Sequence, residues 1–166
     1  MAEALIGRLD RWLAANRPDY YALLQPGATD TVLDAVETQF AVKPPAAFRQ
    51  LYRWRDGQDP MSFAPLQMNR SFMRLEDVAR VKDMLDGMIG SDFDDPRYWR
   101  RGWLPFLHNG GGSYLCLDLA AEDGGRPGQL IGFWKADEDR PVEFPSVEAW
   151  LADLVESAEA GELELE

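Results

Sequence analysis

The sequence predicts a single α+β domain in which an antiparallel sheet of about four to six strands packs against several helices. Three observations predict it. The first half carries apolar residues at helical spacing. Two apolar runs, Trp103–His108 and Tyr114–Leu119, flank Asn109-Gly110-Gly111-Gly112, the pattern of a tight antiparallel hairpin. Beyond the hairpin come two further short strand signals and one last amphipathic helix. A length of 166 residues suits one domain over 1–166, and a 46% hydrophobic content is too high for a disordered chain.

The elements follow in order. Residues 3–16 form a helix with Leu5, Leu9, Trp12 and Leu13 on one face, ended by Arg17-Pro18. Tyr20, Tyr21, Leu23 and Leu24 form an apolar cluster, and Pro26-Gly27 breaks the chain. Thr29 or Asp30 caps a second helix through about Phe40. Pro45 suits the first turn of a third, with Phe48, Leu51 and Tyr52 inward and Gly57 as its left-handed stop. Residues 58–69 are proline-interrupted and irregular, with Met61, Phe63, Leu66 and Met68 packing over the core. Ser71–Arg74 suits a short strand.

Glu76–Gly90 repeats Val78, Val81, Leu85 and Met88 with helical period, and 91–101 is a charged loop. In the second hairpin strand Leu115, Leu117 and Leu119 face one way, and Tyr114, Cys116 and Asp118 the other. After a glycine-rich turn at 120–128, Gln129–Trp134 and Val142–Phe144 read as strands around a solvated turn at 135–140. Ser146 caps the last helix, whose stripe is Val147, Trp150, Leu151, Leu154 and Val155. The tail, 156–166, is acidic, and its last residues, 161–166, are expected to fray.

Charge narrows the function. The net charge is −12, and residues 120–166 hold 13 acidic side chains against 3 basic ones. Such a chain is a poor partner for nucleic acid, whose phosphates demand a basic surface. It suits a basic partner drawn in by long-range steering. No run approaches a membrane span, and the opening residues lack the apolar core of a secretory signal, so a cytoplasmic location is expected. One cysteine excludes an internal disulfide, and with one histidine it makes a Cys/His zinc site improbable. No metal or cofactor is expected.

Three groups of residues bear on chemistry. His108 and Asp118 with Ser113 or Cys116 lack the spacing and the oxyanion donors of a hydrolase. The triglycine leads into a strand with no lysine following, unlike a phosphate loop. The carboxylates at Asp92, Asp94 and Asp95, and at Asp137, Glu138 and Asp139, lack the turn glycine and closing glutamate of a calcium loop. They read as exposed loops or an acidic contact surface.

The order of signals resembles the SUKH superfamily, the Smi/Knr-type domains named partly for a yeast cell-wall synthesis regulator. It rests on a proline followed by Phe48, Leu51, Tyr52 and Asp56-Gly57, then Trp103-Leu104-Pro105-Phe106, the triglycine, Tyr114–Asp118, and Phe144–Leu151. It covers about residues 29–155. One departure is Asp56-Gly57, where the family often has Asn-Gly. The resemblance implies an α+β domain whose motif residues are structural, so no catalytic residue is carried over. For a bacterial member of this size it implies an immunity protein that binds and neutralises a cognate toxin, the product of a neighbouring gene. The alternative is a regulatory scaffold of the yeast kind, and behind it a small hydrolase using His108 and Asp118. The expected toxin contacts are Asp92, Asp94, Asp95, Glu122, Asp123, Asp137, Glu138 and Asp139.

Overall fold

The computed structural model describes residues 1–166. Six helices and seven strands run in the order α1 (Ala2–Asn16), α2 (Pro18–Tyr21), β1 (Leu24–Pro26), α3 (Asp30–Phe40), α4 (Ala46–Trp54), β2 (Arg55–Gln58), β3 (Ser71–Phe72), α5 (Leu75–Gly87), β4 (Trp103–His108), β5 (Tyr114–Asp118), β6 (Gln129–Phe133), β7 (Val142–Phe144) and α6 (Val147–Glu159). The main sheet is an antiparallel meander in which β3 to β7 lie side by side in chain order, while β1 and β2 form a separate antiparallel pair. The α+β expectation is met.

Period-2 geometry explains how the sheet is buried on both sides. Trp103 pairs with Asp118, Tyr114 with Phe133, and Cys116 with Ile131, so these side chains share one face. Trp99, from the 88–102 connection, covers it by packing edge-on against Trp103 at 5.4 Å and Phe133 at 5.3 Å. Helix α5 lies on β4 beside it. The opposite side receives Phe106, which meets Phe48 of α4 at 5.8 Å and Trp150 of α6 at 5.4 Å. Helix α1 packs on α4 and α6, with Leu9 and Leu13 fully buried. The alternation in β5 therefore separates two packed faces, not a packed face from a wet one.

The helix starts follow their caps. Thr29 accepts from the Val32 N–H, and Ser146 from the Ala149 N–H. Helix α5 has no cap of its own; Asp56, on β2, accepts from the Leu75 N–H at 2.8 Å.

Four local expectations are corrected. Residues 24–26 and 55–58 pair as β1 and β2, where proline and glycine suggested only breaks. Gly57 does have φ +68°, but it lies inside β2 rather than ending α4; a Cβ there would stand 2.4 Å from the Arg74 nitrogen. Pro45 is the N-cap of α4, one residue before its first turn. The tail is tethered where fraying was expected: the Met68 and Asn69 N–H groups donate to the carbonyls of Glu164 and Leu165, at 2.8 and 2.6 Å.

Candidate functional site

The two carboxylate clusters belong to separate loops, 91–101 and 134–140, and Arg140 pins those loops together. Its Nη1 donates to the carbonyls of Trp134, Asp137 and Asp139 at 3.2, 2.7 and 2.8 Å, and its Nε to the Tyr98 carbonyl at 3.1 Å. The guanidinium lies over the rings of Phe133 and Tyr98, 4.4 and 4.9 Å from their centroids. Burial against those rings lowers its pKa. Tyr98 returns the contact through its hydroxyl, which donates to the Lys135 carbonyl at 2.7 Å.

The result is an open depression of about 440 Å³ lined by Asp92, Asp94, Asp95, Asp137 and Glu138, with Phe93 and Tyr98 at its base. The structure thus brings five of the eight expected contact residues to one place. Asp139 is exposed on the same loop, outside the lining. Glu122 and Asp123 stand apart, bound to Arg100 at 3.1 and 2.6 Å; the hydrogen bond to Asp123 raises the Arg100 pKa. Asp95 is engaged too. The Arg97 N–H and then its guanidinium hold the Asp95 carboxyl below the usual range. Asp92, Asp94, Asp137 and Glu138 have no cation within ion-pair distance.

Beside this depression lies a second one, of about 300 Å³, between the 58–63 segment, α5 and the triglycine turn. Phe63, Met84, His108, Tyr114 and Asp77 line it. Phe63 is 69% exposed and Met84 52%, and Met61 nearby is 86% exposed. Only Leu66 of this apolar segment is fully buried, against the expectation that the whole of it covers the core. The turn is built by side-chain acceptors. Asn109 Oδ1 takes the N–H groups of Gly111 and Ser113, and His108 Nδ1 takes that of Gly110 at 3.0 Å. That bond leaves Nε2 as the protonated nitrogen of neutral His108. Burial pushes the His108 pKa down. Sequence reasoning did not single out this cleft; its one signal was the apolar pair Met61 and Phe63 in an otherwise irregular loop.

The hydrolase constellation is not assembled. His108 pairs with Tyr114 and Asp118 with Trp103, at opposite ends of the hairpin. Asp118 accepts from the Ala121 N–H and from Gln129 Nε2, which orders the 120–128 turn. Ser113 Oγ accepts from the Lys135 N–H. Cys116 is fully buried, and burial pushes its thiol pKa far up. No group of three or more acidic, histidine or cysteine side chains is arranged to hold a metal, and no helix is long and apolar enough to cross a membrane.

These elements make a small α+β domain with a meander sheet, a structural hairpin and a loop-built acidic surface. The profile of the SMI1/KNR4 family (SUKH-1) matches residues 27–153, and the chain belongs to that family. It is similar to a glucan synthesis regulatory protein of Neurospora crassa, 24% identical over 93% of this chain and 38% of the relative. It also resembles KNR4/SMI1 homolog 2 of Debaryomyces hansenii, 30% identical over 43% of this chain and 12% of the relative. An F-box protein, SKIP16, of Arabidopsis thaliana is 43% identical over 31% of this chain and 12% of its own length. The chain therefore spans well under half of each of these proteins.

Proposed function

We propose that this protein is a cytoplasmic immunity protein that neutralises a cognate toxin by direct protein contact, without a catalytic step. The observation that carries the reading is the pinned pair of loops, which gathers Asp92, Asp94, Asp137 and Glu138, none of them ion-paired, into one open surface where Lys135 is the one lining cation. Leaving like charges together costs stability, and a basic partner face repays that cost while steering encounter. Asp95 lines the surface but is held by Arg97, and Glu122, Asp123 and Asp139 contribute at its margin through the field rather than by contact.

The test is to co-express the chain with the product of the neighbouring gene and measure growth. Rescue is expected, with complex formation in purified samples. Asp137→Lys together with Glu138→Lys should weaken the complex by about tenfold or more. Absence of rescue by the unaltered chain overturns the reading.

A second reading has its own support. The Neurospora crassa relative is named for regulating glucan synthesis. A regulatory scaffold would bind a cellular protein through the same surface and give no growth rescue.

A further inference from the structure

The two depressions share a wall. Gly112 lines the cleft, and a Cβ on it would stand 2.9 Å from Cδ of Lys135, which lines the acidic depression. Beneath that wall, Tyr114 of the cleft and Tyr98 of the depression pack on the same ring, Phe133, at 6.0 and 5.2 Å. A ligand lying across the triglycine turn therefore reaches both.

The cleft's own charges balance, two acidic against two basic. Arg74 and Arg80 share Asp77, at 3.3 and 3.2 Å, and Arg74 also reaches Glu76 at 3.6 Å. Asp59, at its mouth, accepts the Met61 N–H and has no cation partner. What remains is an apolar rim, Phe63 and Met84, around the His108 ring, which meets Phe63 edge-on at 6.0 Å. The space suits a single apolar side chain. Across the shared wall Lys135 is outnumbered by Asp92, Asp94, Asp137 and Glu138, so the net charge there is negative.

We propose that the cleft is the anchor pocket for an extended basic segment of a partner protein. One apolar side chain of that segment sits between Phe63, Met84 and His108. Its neighbouring lysines or arginines cross the triglycine turn to Asp92, Asp94, Asp137 and Glu138. The proposal rests on the protein-binding reading above and adds a second, apolar determinant to it. Phe63 is an exposed aromatic anchor of the kind that concentrates binding energy, and the acidic side supplies register.

The experiment uses the purified full chain and the peptide acetyl-Lys-Lys-Leu-Phe-Lys-Lys-amide, followed by NMR. Two control peptides replace Leu-Phe by Ser-Ser, or every Lys by Glu. Only the first peptide should move the His108 ring protons and the Gly110 and Gly112 amides. Phe63→Ser should weaken its binding by about fivefold or more, and so should Asp137→Asn with Glu138→Gln. Only the charge pair should flatten its salt dependence. Phe63 is exposed, so the variant keeps the fold, which circular dichroism checks. No shift at His108 at millimolar peptide, or equal binding of the Ser-Ser peptide, overturns the proposal. So does self-association of the chain that Phe63→Ser abolishes, since the occupant is then a second copy. Growth rescue lost on charge reversal but unmoved by Phe63→Ser leaves the protein-binding reading standing and removes the cleft alone.

Discussion

Lys82 shows how much a single residue can hold. Its side chain is fully buried beneath the charged loop, yet it is satisfied. Nζ lies 3.2 Å from Asp86 and 2.5 Å from the Arg101 carbonyl, with the rings of Phe40 and Trp99 around it. Trp99 Nε1 donates to the same Asp86 carboxylate at 2.8 Å. Burial lowers the Lys82 pKa, against the pull of Asp86. Removing the ammonium leaves the mostly covered Asp86 carboxylate without its cation, so Lys82→Ala should cost about 2–3 kcal/mol in urea denaturation. His108 gives a second, pH-dependent prediction. Its folded pKa lies below its ordinary value, so the unfolded chain binds the proton more readily. The stability it contributes is complete above the unfolded pKa, about 6.5, and is lost as pH falls through the folded one. As the only histidine, it can be followed by its ring protons alone. Their midpoint should lie below the ordinary value in the native protein and return to it in urea.

Elements whose pattern is local were readable in the sequence. Helices α1, α3, α5 and α6 follow apolar stripes, and the caps at Thr29 and Ser146 appear where a hydroxyl precedes a stripe. The hairpin of β4 and β5 announces itself through its glycines. The short strands β1 and β2 do not, because they pair across some thirty residues and contain Pro26 and Gly57, which locally signal breaks. Phe93, Tyr98 and Trp99 stand among charges without periodicity, and only the sheet beneath them decides that Trp99 is the fully buried one. The carboxylate clusters were visible, but their meeting depends on Arg140, whose partners Tyr98 and Phe133 come from other elements. The tail is a further case, since its contacts are backbone bonds that no side-chain pattern encodes. Deleting residues 162–166 removes both tethers from Met68 and Asn69, which hold φ +48° and +58°. The loss should be about 1–2 kcal/mol, read as a lower urea midpoint.

Over the whole molecule, charge is distributed so that the fold neutralises itself where it packs and stays acidic where it is open. Arg49 reaches Asp30, Asp34 and Glu37, and Arg70 grips Glu143 with two bonds at 2.7 and 2.8 Å. Most of the excess lies in residues 141–166, which carry eight acidic side chains and no basic one, whereas loop 91–101 balances three of each and loop 134–140 holds three acidic against two basic. Association with a basic partner should therefore be steered. Its on-rate should fall steeply with salt while the off-rate changes little, as stopped-flow measurements at several ionic strengths would show. A salt-independent on-rate would remove steering from the account.

The packing of α1 against α6 joins residues 2–16 to residues 147–159. During synthesis the meander can zip up strand by strand as it emerges, each strand meeting the one before it. Helix α1 precedes the meander in the chain but waits for α6, which follows it. Until α6 has emerged, the face carrying Leu5, Leu9 and Leu13 lacks one of its two covering helices. Over that interval this face is open to chaperones and to aggregation.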